Sequence, residues 1–264
     1  MDQQRSLWTA CSNFHCFVAA VVAAGSLSSI TALAEEPKPP HWSYSGATGP
    51  GHWASEDAAY IGCGSGKHQS PINIEKTIPR DLPQLEFSYK ATPLHVTDTG
   101  HTLQVNYQTG SAITVAGVRY ELVQFHFHKP SEEHLRGHAY SMEAHLVHKN
   151  DKGELAVIAV LLRRGKTNAF LAPIFDHFPA IGSKESVVTD QSLNATELLP
   201  EDHSYFSFDG SLTTPPCSEH VRWFVLKTPV EISTHQIQQF GARYPRNARP
   251  AQPLNGREVL ESNH

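Results

Sequence analysis

Closely spaced histidines are the residues of this sequence whose types and positions could support chemistry. The chain has 264 residues, of which 17 are histidines, and imidazole is the side chain that most often binds metal ions. The alternating segment Gln124-Phe125-His126-Phe127-His128 predicts a β-strand. Gln124, His126 and His128 then share one face, because side chains two positions apart on a strand point the same way. Two imidazoles spaced like this can bind one ion, each nitrogen about 2.0–2.1 Å from zinc.

A second alternating segment, residues 142–148, offers a third imidazole. If it pairs antiparallel with the first segment, Glu143 and His145 lie opposite His126 and His128. Gln124 and Glu143 would then accept hydrogen bonds from imidazole N–H groups and fix the ring tautomers. Three histidines without a cysteine leave the fourth position of zinc open, as in catalytic sites and unlike closed structural sites. The alternative is an ordinary His-x-His pair on an exposed strand, with no ion between the rings.

Alternation with a period of two also predicts the elements that must position these side chains. The predicted strands are Leu103–Tyr107, Ile113–Val115, Tyr120–His128, Ser141–His148, Leu155–Leu162 and Val221–Lys227. Helices are predicted at Asn168–Phe178 and Ser233–Phe240, the second opened by a capping-box pair, Ser233 and Gln236. The expected fold is mainly β: one domain around a large central twisted, mostly antiparallel sheet with a few short surface helices.

The first 34 residues have the layout of an export signal. A charged start at Arg5 is followed by the apolar stretch that begins at Phe17–Val22, and Ala32-Leu33-Ala34 is an A-x-A cleavage site. A membrane anchor is the alternative, but the apolar run is shorter than the ~20 residues needed to cross a bilayer. We therefore expect a signal peptide at 1–34, one catalytic domain at 35–264, no stable membrane anchor and a periplasmic or extracellular protein.

Cysteine use agrees with export. Of the four cysteines, two lie in the signal and two, Cys63 and Cys217, remain in the mature chain. Two cysteines in an exported protein predict one disulfide bond. The alternative is two separate free thiols.

Composition and missing motifs exclude several classes of function. A net charge of −5 disfavours a nucleic-acid binder. A P-loop is absent because His68 follows Gly66-Lys67, and neither H-E-x-x-H nor G-x-S-x-G occurs. Three further histidines are interpreted as surface or hydrogen-bonded core residues and not as ligands: His134, His138 and His148.

Five motifs, in this order along the chain, resemble those of α-class carbonic anhydrases. The likeness runs from about His41 to Val259, and the short Lys129–Glu133 loop with the export signal resembles the bacterial exported members. The motifs are Gln69-Ser-Pro-Ile-Asn73, Gln124-Phe-His-Phe-His128, Glu143-Ala-His145-Leu-Val-His148, Ser211-Leu-Thr-Thr-Pro-Pro216 and Arg249-Pro-Ala-Gln-Pro-Leu254.

The resemblance implies a fold and an activity. The family's fold is a central ten-stranded sheet. Its activity is the zinc-dependent, reversible hydration of carbon dioxide by water to bicarbonate and a proton, through attack of zinc-bound hydroxide. The resemblance further implies one Zn²⁺ per chain, proton export through a histidine, weak esterase activity, and inhibition by sulfonamides and small anions. It is compatible with a homodimer.

The resemblance also implies roles for residues that match its motifs. His126, His128 and His145 match the zinc ligands, with Gln124, Glu143 and Asn247 beside them. His101 matches the proton-shuttle histidine. Thr213 matches the threonine that orients the hydroxide and donates to a buried glutamate, which is Glu132 by count, with Glu133 as the rival.

Further positions match the walls of the family's active site. The matches to the substrate pocket are Val147, Val157, Leu212, Thr214, Val221 and Trp223, and those at the rim are Tyr44, Thr99 and Gln104. Cys63 and Cys217 match the disulfide of secreted members. Two functions of a different kind stay open: a non-catalytic binding protein on the same scaffold, or a periplasmic zinc buffer that uses the histidine-rich surface.

Overall fold

The predicted strands form, and additional ones complete the sheet. A computed structural model describes residues 41–180 and 185–264, so the predicted signal at 1–34 lies outside the described residues. The strands are β1 Asn73–Ile74, β2 Ile78–Arg80, β3 Glu86–Ser88, β4 Thr92–Asp98, β5 Leu103–Asn106, β6 Ala112–Val115, β7 Val118–His128, β8 His134–Leu135, β9 His138–Ala139, β10 Met142–Lys149, β11 Leu155–Arg164, β12 Glu185–Leu193, β13 Tyr205–Ser211, β14 Glu219–Leu226, β15 Val230–Ile232 and β16 Leu260–Ser262.

The helices are short. They are α1 Trp53–Glu56, α2 Gly62–Ser65, α3 Ala172–Asp176 and α4 Thr234–Arg243, with 3₁₀ turns at Gly46–Thr48, Ala58–Tyr60 and Ala195–Leu198. Within the described ranges, no helix is both long enough and apolar enough to span a bilayer.

One large mixed sheet dominates the fold, as predicted. Within the described residues its continuous order is β12-β4-β5-β7-β10-β11-β14-β13-β16-β2. Most neighbouring strands run antiparallel, but β11 pairs with β14 and β15 in parallel, and β16 pairs with β2 in parallel. Strands β7 and β10, which carry the histidines, are therefore interior strands whose backbone is hydrogen-bonded on both sides.

The register of β7 and β10 is the one that the histidine pattern requires. The strands are antiparallel, with His145 opposite His126 and Glu143 opposite His128. Since facing residues of an antiparallel pair point to the same side of the sheet, the predicted tripod and its two polar neighbours share one face.

A β-bulge in β7 is needed to keep this face polar. The pairing shifts between Val147, opposite Gln124, and His148, opposite Leu122, which leaves Val123 as the extra residue. Without it, strict alternation would put Leu122 on the same face as Gln124 and His126. The bulge lets both Leu122 and Phe125 enter the main core, while the histidines face the other way.

The main core lies on the side of the sheet opposite the histidines. Phe125 and Phe127 of β7 are fully buried in it, and Ile237 and Phe240 of α4 pack against the same cluster. Burying a phenylalanine side chain contributes about 1.5–3 kcal/mol. The apolar alternation of β7 therefore anchors the strand whose other face carries the ligands.

The two predicted helices have different outcomes. Helix α4 begins as predicted, because Ser233 Oγ accepts a hydrogen bond from Gln236 N and Gln236 Oε1 accepts one from Ser233 N. The prediction for 168–178 is too long, since α3 is Ala172–Asp176. Asn168 forms a turn instead, with its side-chain oxygen accepting a hydrogen bond from Leu171 N at 3.1 Å.

Candidate metal centre and active site

Three imidazoles converge on the polar face of β7 and β10. His126, His128 and His145 each offer a nitrogen within 4.8 Å of the nitrogens of the other two. Ring centroids are 5.0 Å apart for His126 and His128, and 4.6 Å apart for His128 and His145. The predicted third ligand is therefore brought to the first two by the strand register.

Each ring has a hydrogen-bond acceptor beside its outer nitrogen, the one that faces away from the point where the three rings converge. His126 Nδ1 lies 2.9 Å from Gln124 Oε1, and His128 Nδ1 lies 2.8 Å from the backbone oxygen of Asn247. His145 Nε2 lies 3.3 Å from its hydrogen-bond partner Glu133 Oε2 and 3.5 Å from Glu143 Oε2. Bonds to the outer nitrogens direct His126 Nε2, His128 Nε2 and His145 Nδ1 towards the common centre. Gln124, Glu143 and the backbone of Asn247 thus adjoin the three rings.

The donor set fits a zinc ion. His128 Nε2 is fully buried and has no hydrogen-bond partner among the described residues, an arrangement that costs free energy unless a ligand occupies it. Three imidazole nitrogens with no thiolate match the ligand set of catalytic zinc and leave a coordination position for water.

Burial makes two of the rings good ligands. It lowers the pKa of His126 to about 3, helped by the nearby His145, and lowers the pKa of His128 well below its usual value. Both rings are thus neutral, which metal binding requires. For His145, burial is the largest single influence and lowers the pKa, but Glu143 and Glu133 together outweigh it and raise the pKa to about 10. These carboxylates favour positive charge in the site, which a divalent cation would supply.

Glu132 and Glu133 occupy different parts of the site. Glu132 Oε1 accepts a hydrogen bond from Arg249 N at 2.7 Å, and burial raises the pKa of Glu132 to about 7 against the lowering influence of His145 and Thr213. Among the described residues Glu132 Oε2 has no hydrogen-bond partner, and the nearby Thr213 hydroxyl is one of the groups that lower the pKa of Glu132. Glu133 instead lies 3.3 Å from His145 Nε2.

An apolar cluster lies beside the imidazoles. Val147, Val157 and Trp223 form a row across β10, β11 and β14, as paired residues of adjacent strands. Leu212 and Val221 belong to the same cluster. The Trp223 ring meets that of His145 edge-on at 4.9 Å. Five of the six residues predicted for the substrate pocket therefore belong to one cluster beside His145, and the sixth, Thr214, lines the cavity described next.

The cavity that opens onto the imidazoles is small. We name it the front cavity; its volume is about 220 Å³, and His126 and His128 line it. Its other lining residues are the three predicted rim residues, Tyr44, Thr99 and Gln104, together with Trp42, His101, Thr102, Gln124 and Thr214. A larger cavity, of about 420 Å³ around Leu135 and Phe206, shares no lining residue with it. We take the front cavity as the candidate active site because two of the three imidazoles that could hold a metal ion line it.

Comparison with known proteins decides the family. The model of eukaryotic-type carbonic anhydrases matches residues 48–263. The chain belongs to the α-carbonic anhydrase family. A carbonic anhydrase of Klebsiella pneumoniae is 45% identical over 225 residues, which cover 84% of this chain and 91% of the relative.

Solved structures of carbonic anhydrases agree with the fold. The α-carbonic anhydrase of Photobacterium profundum has a TM-score of 0.79 at 43% identity, covering 84% of this chain and 100% of its own. The enzyme of Thermovibrio ammonificans, solved with the inhibitor sulfanilamide, has a TM-score of 0.80 at 38% identity and covers 84% and 99%. The chain is thus a carbonic anhydrase, and hydration of carbon dioxide is the reaction of its family.

In this carbonic anhydrase His101 lies at the edge of the front cavity. Its ring is stacked on Trp42, with centroids 3.6 Å apart and planes 8° apart. Burial lowers the pKa of His101, with a smaller lowering by His41 and an opposing influence from Asp98. Asn247 Nδ2 donates to the backbone oxygen of His101 at 3.1 Å, so the residue that orients His128 also holds the His101 turn.

A disulfide bond fixes the loop that carries Thr213. Cys63 and Cys217 are joined, as predicted, across 154 positions of sequence. Within the loop, Cys217 N donates to the backbone oxygen of Thr214 at 2.8 Å. The carbonic anhydrase loop next to the metal centre is therefore tied to the N-terminal part of the domain.

Sequence reasoning gave no role to several residues that shape the site. Arg249 belongs to one of the five motifs, which assigned it no role. In the structure its backbone N–H donates to Glu132 and its guanidinium donates to the backbone oxygen of Cys63. Trp42 lies outside the five motifs, yet its ring stacks on that of His101. Asp98, which accepts a hydrogen bond from Arg243 at 2.9 Å, was not singled out. These contacts join distant segments, and no local pattern indicates them.

His148 illustrates a histidine that is buried without being a ligand. It is fully buried, its Nε2 lies 2.8 Å from the Tyr89 hydroxyl, and burial lowers its pKa to about 3. The unfolded value is about 6.5, so the unfolded state binds the proton first. The stability due to the neutral ring is therefore present above pH 6.5 and is lost as the pH falls towards 3.

We expect His148 to lower the free energy of unfolding by roughly 3 kcal/mol when the pH falls from 6.5 to 4. Urea unfolding at both pH values should show a smaller fall in His148→Leu. Tyr89→Phe is the matched control, because it removes the same hydrogen bond but keeps the titrating ring. Equal falls in the wild-type protein and His148→Leu would contradict this assignment.

Proposed function

We propose that this chain is an exported zinc carbonic anhydrase that hydrates carbon dioxide at the His126–His128–His145 centre. The observation that carries the proposal is that three rings, each held by an acceptor on its outer nitrogen, turn their inner nitrogens towards one point. Zinc bound there by three neutral imidazoles would lower the pKa of a coordinated water from 15.7 to about 7 and supply hydroxide at neutral pH.

Thr213 and Glu132 would orient the attacking oxygen. A threonine hydroxyl that donates its hydrogen to an ionised Glu132 can only accept a hydrogen bond from that oxygen. The oxygen then presents a lone pair to the carbon of the substrate, which lowers the barrier by positioning. Arg249 N supports this role, because its hydrogen bond at 2.7 Å stabilises the ionised form of Glu132.

The apolar cluster would hold carbon dioxide. The molecule is small and uncharged, so Val147, Val157 and Trp223 can hold it weakly without competing hydrogen bonds. Pairing across three strands fixes these side chains in a row, with the buried Trp223 against the His145 ring. Bicarbonate, being charged, is disfavoured on this surface, which promotes product release.

His101 would export the proton. Its imidazole stands at the edge of the front cavity, and an imidazole exchanges protons readily near neutral pH. We expect His101→Ala to lower kcat by at least about 10-fold in dilute buffer. The same variant should retain kcat/KM and recover turnover when imidazole is added. His138→Ala, an exposed histidine outside the cavity, is the control. An unchanged kcat in dilute buffer would show that another group exports the proton.

The compartment is also part of the proposal. A disulfide bond persists in oxidising compartments, so the Cys63–Cys217 bond supports a periplasmic or extracellular location. The export signal at 1–34 predicts the same location. The related enzyme solved with sulfanilamide supports inhibition of this chain by sulfonamides, and weak esterase activity would follow from the same nucleophile.

Stopped-flow hydration assays before and after chelation test the function. We expect one zinc per chain, hydration well above the buffer rate, loss on chelation and recovery when zinc is restored. Several loosely held zinc ions without hydration would support the zinc-buffer alternative. One tight zinc without hydration would support a binding protein on this scaffold and would contradict the proposal.

A further inference from the structure

A second cavity lies behind the proton-exporting histidine. We name it the rear cavity; its volume is about 180 Å³. Trp42, Tyr44 and His101 line both the front and the rear cavities, so these three side chains form the partition between them. The stacked His101 ring is therefore exposed on one side to the metal centre and on the other to a separate opening.

Basic side chains line the rear cavity. Arg243, Arg246 and His41 line it, and among the described residues none of its lining residues is acidic. Arg243 is neutralised by Asp98, with Nη1 2.9 Å from Oδ2. Arg246 is exposed, and within residues 41–180 and 185–264 it makes no hydrogen bond or ion pair. Its charge is available to a ligand.

From this placement we infer that the rear cavity binds a small protonatable oxyanion, such as hydrogen phosphate, which takes the proton from His101. The inference rests on the proposed function. In the step, the N–H bond of the His101 imidazolium breaks and an O–H bond forms on hydrogen phosphate. The products are neutral imidazole and dihydrogen phosphate. Arg246 would hold the anion by charge, and the lowered pKa of His101 favours release of the proton.

Turnover as a function of buffer tests the inference. At saturating carbon dioxide and constant ionic strength, we expect kcat of the zinc-loaded protein to rise with inorganic phosphate and to saturate. Arg246→Gln should raise the half-saturating phosphate concentration at least about five-fold, because one unit charge at contact distance from another has that effect in water and hydrogen phosphate carries two. The response to imidazole, a buffer that carries no negative charge, should stay as in the wild-type protein. Arg164→Gln, which removes an exposed arginine at the end of β11, controls for the change in net charge.

Sulfate separates binding from proton transfer. It carries the charge of hydrogen phosphate but takes up no proton at neutral pH. We therefore expect it to raise the half-saturating phosphate concentration in the wild-type protein and to have less effect in Arg246→Gln. A kcat that rises linearly with phosphate, or equal phosphate responses in Arg246→Gln and Arg164→Gln, would overturn the inference.

A binding measurement distinguishes failure of this inference from failure of the proposed function. Phosphate should shift the NMR signals of His41 and His101 saturably in the wild-type protein, and only weakly in Arg246→Glu. Saturable shifts in a protein without hydration activity would support the anion site while contradicting the proposed function. Full hydration activity in imidazole buffer, with no phosphate-dependent shift of the NMR signals, would support the proposed function and contradict the anion site.

Discussion

Replacing His128 by alanine is expected to abolish stoichiometric zinc binding and to lower carbon dioxide hydration by more than about 10⁴-fold, because no water is then acidified from a pKa of 15.7 towards 7. His128 is fully buried, and its Nε2 has no partner within the described residues other than a prospective metal. Zinc content by mass spectrometry and hydration by stopped flow would be measured on the same samples.

His148→Ala is the matched control for this experiment. His148 is as buried as His128, but lies on the opposite face of β10, where it bonds to Tyr89. Its loss should lower stability by about 1–3 kcal/mol and leave one zinc per chain. If His128→Ala retained one tight zinc and most of its activity, the assignment of the metal centre would be wrong.

Glu132→Gln is expected to lower kcat/KM by about 10²–10³-fold, the cost of losing one positioned hydrogen bond at a reacting group. The amide can no longer act as a charged acceptor for Thr213 and Arg249 N, whereas the three imidazoles are retained. Thr213→Val should cause a similar loss, because it removes the hydroxyl that orients the attacking oxygen. Both variants should keep one zinc per chain. If the two residues had a purely structural role, zinc would be lost together with the activity.

Glu133→Gln is the control that separates the two adjacent glutamates. Glu133 lies near His145 Nε2, where Glu143 also provides an acceptor. We therefore expect at most about a 10-fold change in zinc affinity, the lower end of effects for groups that orient a ligand, and little change in kcat/KM. A larger kinetic loss in Glu133→Gln than in Glu132→Gln would reverse the assignment.

The convergence of the three imidazoles could be predicted because its pattern is local. Side chains of a strand alternate, so His126 and His128 share a face in any β-structure. The third ligand needed only the assumption of antiparallel pairing, and the structure has the expected pairing of His145 with His126. The same local rules gave the capping box at Ser233 and most strand bounds near the site.

The remaining features depend on contacts between distant segments. The bulge at Val123 arises because Leu122 and Phe125 are both apolar and both enter the core, which strict alternation does not allow. Helix α3 is shorter than predicted because Asn168 bonds to Leu171 N and to the backbone oxygen of Glu231. The support of Glu132 by Arg249 N bridges 117 positions of sequence.

An anomalous-difference X-ray map at the zinc absorption edge tests the central claim most directly. The account predicts one peak per chain, about 2.0–2.1 Å from His126 Nε2, His128 Nε2 and His145 Nδ1, with a fourth position open to solvent. No peak at this point in zinc-supplemented crystals, or a fourth side chain closing the coordination shell, would contradict it.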